Sequence, residues 1–154
     1  MAISQAVCSV FKQELLKGNH DFDGTGSVAY YIALYTSSAT LGAATTAYAT
    51  NPGGGSNTEV TNSSGSAYSA GGKALTSPTV TLSGTTAFAD FADVSWTSAS
   101  FTANGALIYR QDGGAPTDDA VVVLAFGGDF TASNGTFTIQ FPAAGGGSEI
   151  IRLG

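Results

Sequence analysis

From residue 59 to the end, the sequence repeats one kind of unit: a short run rich in Val, Ile, Thr, Phe and Tyr, then a Gly, Asn, Asp or Ser turn. Candidate strands fall at 59–62, 66–70, 73–82, 85–91, 93–97, 104–110, 120–126, 135–141 and 149–153. Ser83-Gly84, Asp112-Gly113-Gly114, Asn134-Gly135 and Gly145-Gly146-Gly147 separate several of them. Short strands at a spacing of about ten residues, punctuated by glycine, define a β-sandwich or barrel. Alternation gives the faces: Phe137, Ile139 and Phe141 share one side of their segment, whereas the 120–126 segment is apolar on both sides and reads as central. The expectation is a mainly β fold, a single-domain antiparallel β-sandwich of jelly-roll-like type spanning 1–154. The sandwich proper covers 28–153, and one amphipathic α-helix precedes it.

That helix is expected over 3–17. Ile3, Val7, Val10, Phe11 and Leu15 form one stripe at helical spacing, the face that packs on the sandwich. Gly18 supplies the stop, and Lys17 sits where the helix dipole favours a cation. Cys8, the only cysteine, lies on the flank of the stripe as a buried, inert thiol. A strand over 28–36, apolar on both faces, follows a turn at 20–27. The stretch 37–58, made mostly of Ala, Thr, Gly, Ser and Asn, reads as an exposed loop.

Two motifs invite a ligand and fail. Gly71-Gly72-Lys73 looks like the end of a phosphate-binding loop, but Ala67 stands where the first glycine is needed and Ala74 where Ser or Thr would hold magnesium. The two glycines read instead as a strand corner. Asp21, Asp23 and Gly26 match part of a calcium loop, but Ile32 stands where the bidentate glutamate belongs, which leaves an Asx-type turn. One Cys and one His make no zinc site. No cofactor or metal is expected.

Charge restricts the partners. Charged residues are 10% of the chain, against about 25% in ordinary globular proteins. The net charge is −6, and the only cations are Lys12, Lys17, Lys73, Arg110 and Arg152. Phosphate neutralisation needs a basic cluster that this supply does not allow, so neither nucleic acid nor an anionic membrane is an expected partner. No signal peptide is legible at the N-terminus, and synthesis in the cytoplasm is expected. No catalytic set is legible either: His20, the only histidine, has no nucleophile elbow to serve. Asp90 with Asp93, and Asp118 with Asp119, read as turn residues rather than a hydrolytic pair. Tyr30, Tyr31, Tyr35, Tyr48, Tyr68 and Trp96 read as core and interface more readily than as a sugar-stacking face. The expectation is a protein that is not an enzyme.

The order of segments carries a resemblance. "FKQELLKGNHDF", "IALYTSSATL", "AYSAGGKAL", "FADVSWTSASFTANGALIY", "GGDFTASNGTFTIQFP" and a closing "IIRL" together resemble small structural proteins of tailed bacteriophages over about residues 5–153. The resemblance implies a virion protein, most specifically a head decoration or cement protein. Its partner would be the major capsid protein, and its place the outer surface of the capsid. The alternative is a tail or fibre-tip module binding a host-surface glycan. A low-charge surface offers little repulsion against self-association, and closed symmetry is usual for small repeated subunits. A trimer would bridge three capsid subunits at once, so a homotrimer is expected, with a dimer as the alternative.

Overall fold

The computed structural model describes residues 2–26, 28–60, 67–111, 119–143 and 145–154. The chain is mainly β, with two antiparallel sheets and one short helix near the N-terminus, consistent with a β-sandwich. In chain order the elements are β1 (Ala6–Val7), α1 (Ser9–Leu16), β2 (Ala29–Tyr35), β3 (Lys73–Ala74), β4 (Thr79–Ser83), β5 (Thr86–Asp90), β6 (Val94–Gln111), β7 (Ala120–Ile139) and β8 (Ile151–Leu153). The larger sheet runs β1-β7-β6-β2-β3 and the smaller β4-β5-β8. Local hairpins, β6–β7 and β4–β5, build much of both sheets.

β2, β6 and β7 make the centre. β2 pairs with β6 from Ala29↔Gln111 to Tyr35↔Gly105 without a register shift. Ile32, Ala33, Leu34 and Tyr35 lose all solvent contact there, as do Leu107, Ile108, Val121 and Val123. Runs apolar on both faces become strands covered on both faces. Ala89, Phe91, Ile150 and Ile151, in or beside the small sheet, join the same core.

Two pairs of expected strands fuse. Segments 93–97 and 104–110 lie within the single strand β6, and β7 runs from 120 through 139. The intervening turn residues form irregularities within the ladder. Ser98 and Asn134 adopt φ 54° and 50°, Gly127 adopts φ 79°, and the register shifts between Ala103↔Phe130 and Gly105↔Ala125. These irregularities use the same left-handed backbone as a tight turn, so the residues alone did not distinguish them. Residues 61, 62 and 66 of two expected strands, and the Asp112-Gly113-Gly114 turn, lie outside the described residues.

The helix is shorter than its apolar stripe. Only Ser9–Leu16 is helical, and residues 3–7 are extended. Ile3 bridges Leu41 in parallel, Ala6 and Val7 pair with Val123 and Val122, and Cys8 N–H donates to Val121 O at 2.9 Å. The sheet therefore starts before residue 28. The edge of β7 takes the backbone groups that a first helical turn would have used, and β-branched Ile3 and Val7 suit an extended chain. Gly18, at φ 78°, ends the helix as expected, its N–H donating to Leu15 O at 3.1 Å.

The 37–58 segment is mostly exposed and without regular strand or helix, but it is anchored to the sheet at a few points. Ala39, Leu41 and Thr58 are buried, Thr36 N–H donates to Thr58 O at 2.8 Å, and Ala47 bridges Asp119. Small residues let this chain lie close against the sheet, and its backbone groups find partners there.

Candidate functional site

The buried polar node of the molecule is Glu59, 4% exposed. Its Oε1 accepts from the Tyr68 hydroxyl at 2.6 Å and from Gly71 N–H at 2.7 Å, and its Oε2 accepts from the Tyr48 hydroxyl at 2.8 Å. Tyr109 donates to Gly71 O at 2.7 Å and stacks on Tyr48 with ring centroids 4.6 Å apart. Burial, reinforced by Glu59, holds the Tyr35, Tyr48 and Tyr68 hydroxyls well above the ordinary tyrosine range. A carboxylate so enclosed has no open side for a substrate. It ties the end of the 37–58 segment to the Tyr68–Gly71 turn.

That node explains Gly71 and Gly72. Both have positive φ, 90° and 77°. A Cβ on Gly72 would fall 1.8 Å from Ile32 O, so the turn approaches β2 too closely for any side chain. The glycines form a tight turn ahead of β3: Gly72 N–H closes it onto Ser69 O at 2.9 Å, and Lys73-Ala74 then pairs with β2; no strand leads into it among the described residues.

Of the expected helix-packing residues, Phe11 is buried on α1, while Val10 and Leu15 are partly buried against the core. Ile3 and Val7 also pack on the core, but from extended chain. Phe11 meets His20 edge-on at 4.8 Å and Phe22 at 5.9 Å. His20 is therefore buried against these rings rather than exposed. Its Nδ1 lies 3.2 Å from the Tyr30 hydroxyl, and burial brings the imidazole down to about 4. Asp21 and Asp23 accept from the backbone N–H groups of Asp23 and Thr25, both two residues on, which are Asx turns.

Asp90 accepts from Phe91 N–H and Asp93 from Phe141 N–H, each ordering a strand end. Asp118 lies outside the described residues. Among the described residues, no three His, Cys, Asp or Glu side chains gather as a metal site requires. Among the described residues, no helix is long and apolar enough to cross a membrane.

Among the apolar surfaces of the described residues, two share no residue with each other. One is the small sheet: register puts Val80, Leu82, Ala87, Ala89, Ile151 and Leu153 on one side. Val80, Leu82 and Leu153 are 56%, 70% and 53% exposed, and a groove of about 350 Å³ separates part of this face from Phe11, Leu15 and Phe22. The other is a groove of about 440 Å³ along β7, lined by Phe126, Phe130, Phe137, Ile139 and several threonines. A ring ladder leads inward from exposed Phe130 through Phe126 and Phe137 to Phe101 and buried Tyr68. Sequence reading missed both faces and Glu59. The uncharged alternation of Thr79–Ser83 was the available signal for the first, and Phe126-Gly127-Gly128-Asp129-Phe130 for the second.

Comparison with protein-family models, with curated proteins and with solved structures finds no match to this chain.

Proposed function

We propose that this protein is a structural subunit of a bacteriophage virion, a decoration or cement protein. On this reading it binds the outside of the major capsid protein shell as a closed homo-oligomer, three-fold or two-fold, and has no catalytic role, cofactor or nucleic-acid partner. The observation that carries the reading is the pair of separate exposed apolar faces on so small and weakly charged a chain. A shell component needs one surface for its own copies and another for the shell, and exposed apolar patches mark such contacts. The groove at Phe126, Phe130 and Phe137 is the surface assigned to the capsid. A protein that binds only the assembled shell stabilises it by mass action.

The test is to locate and count the protein on purified heads, wild type against Phe130→Ser. Occupancy of the outer capsid surface that falls in the variant supports the reading; location at the tail overturns it. One observation favours a second reading, a tail or fibre-tip module: aromatic rings flanked by Thr131, Thr136, Thr138 and Gln140 are also a surface on which a host glycan stacks and hydrogen-bonds. Saturable binding of a host-surface glycan that Phe130→Ser abolishes would select it.

A further inference from the structure

We infer that β4 is a self-pairing edge: two copies of this chain join antiparallel through Thr79–Ser83 about a two-fold axis at Thr81, making one continuous six-stranded sheet. β4 stands at the end of its sheet, and among the described residues no third strand bonds it. Its outward groups follow from the hairpin. Ser83↔Thr86 closes a two-residue loop whose first residue, Gly84, has φ 59°, the type II′ arrangement. The closing pair is hydrogen-bonded and bonded pairs alternate. Thr79, Thr81 and Ser83 therefore aim their backbone groups at β5, while Val80 and Leu82 aim theirs outward.

The sequence Thr-Val-Thr-Leu-Ser is complementary to itself when reversed about its centre. In that register Val80 faces Leu82 of the second copy and Leu82 its Val80. Both outward residues meet outward residues, and two bonded pairs form. Thr81 meets Thr81 at a non-bonded position, where side chains lie closest. The β6–β7 ribbon already shows such hydroxyl contacts, Thr102 with Thr131 at 2.7 Å and Ser95 with Thr138 at 2.8 Å. On the other face Val80 and Leu82 of both copies make one apolar strip. Pro78, which has no N–H, ends the ladder.

The self-complementary strand selects a second copy as the occupant, and the charge distribution permits it here. The chain carries net charge −6, so two copies repel over most approaches, but no charged residue occurs from Ala74 to Ala89. The other sheet edges are blunted. β1 and β3 have two residues each, β3 with Lys73; β8 has three, with Arg152; β7 beyond Val123 is broken by the irregularity near Asp129. Among the described residues, β4 alone is a regular, five-residue, uncharged edge.

A contact of five residues a side is small beside the roughly 1,200 Å² of a tight interface, so a weak, concentration-dependent dimer is expected. The experiment is sedimentation equilibrium on the isolated protein up to about 1 mM, with amide exchange at low and high concentration. It involves no capsid, so its outcome is separate from that of the virion reading. Wild type should go from monomer to dimer, and the Val80 and Leu82 amides should gain protection as it does. Val80→Pro removes an outward N–H rather than one of the β4–β5 ladder, and Leu82→Lys places a charge opposite Val80 of the second copy, one residue from the axis. Each should weaken association about tenfold or more. Leu82→Lys serves if the proline variant fails to fold. A monomer at every concentration, a three-fold assembly, association unchanged in the folded variants, or no change in protection of the two amides would overturn the inference.

Discussion

Tyr68 donates its hydroxyl to Glu59 Oε1 at 2.6 Å, and the same oxygen accepts Gly71 N–H at 2.7 Å. One buried carboxylate thus fixes both ends of a turn whose glycines touch β2. Glu59→Ala removes the acceptor from two tyrosine hydroxyls and one amide. Each donor left without a partner costs about 1–3 kcal/mol. Chemical denaturation should show a large loss for Glu59→Ala and a smaller one for Glu59→Gln, whose amide oxygen still accepts.

The same node sets behaviour in alkali. Tyr35, Tyr48 and Tyr68 are held above the ordinary value of 10 by burial and by Glu59. The unfolded chain therefore releases these protons first as pH rises. Stability from this source is complete below pH about 10 and declines above it. Ultraviolet titration should show these tyrosines ionising only with unfolding.

His20 works in the opposite direction. Its folded value is about 4, against an ordinary 6.5, chiefly because it is buried. Between those values the unfolded state binds more protons, so stability falls as pH drops from about 6.5 to 4 and is complete above that window. The difference between the wild-type and His20→Asn stability profiles should carry that slope; parallel profiles would remove the claim.

Phe11 is 1% exposed and Leu16 is 90% exposed, on the same short helix. Phe11→Ala should cost about 3–5 kcal/mol. Leu16→Ala should stay within about 0.5 kcal/mol. Equal melting temperatures for the two variants would refute the packing.

Gly71 and Gly72 share the penalty of positive φ, but a Cβ at 71 comes no closer than 3.4 Å to its nearest neighbour, the Tyr109 hydroxyl, whereas one at 72 strikes Ile32 O. Gly72→Ala should therefore destabilise by more than about 1 kcal/mol beyond Gly71→Ala, the difference reporting the backbone clash.

Under the virion reading, apolar attachment through Phe130 survives washing of heads in about 1 M salt, where the screening length is about 3 Å. Release of most copies would indicate ion pairing instead.

Local alternation and punctuation were enough to determine the mainly β class, β2, the β4–β5 hairpin and the stop at Gly18, because each depends on nearest neighbours and on φ preferences. They did not determine which Gly and Asn residues turn the chain and which bulge within a ladder. The two backbone states are alike, and only a partner strand distinguishes them. Nor did they determine that Ile3 and Val7, spaced as in a helix, belong to extended chain, since that depended on β7 offering its edge. Composition made 37–58 look exposed, and most of it is; the burial of Leu41 and Thr58 within it came from pairing with Ile3 and Thr36, which composition does not show. Glu59, an ordinary acid in sequence, became the polar centre only when strand pairing brought Tyr48, Tyr68 and Gly71 around it. Short-range preference is written residue by residue, whereas burial, edges and buried hydrogen bonds exist only once distant segments meet.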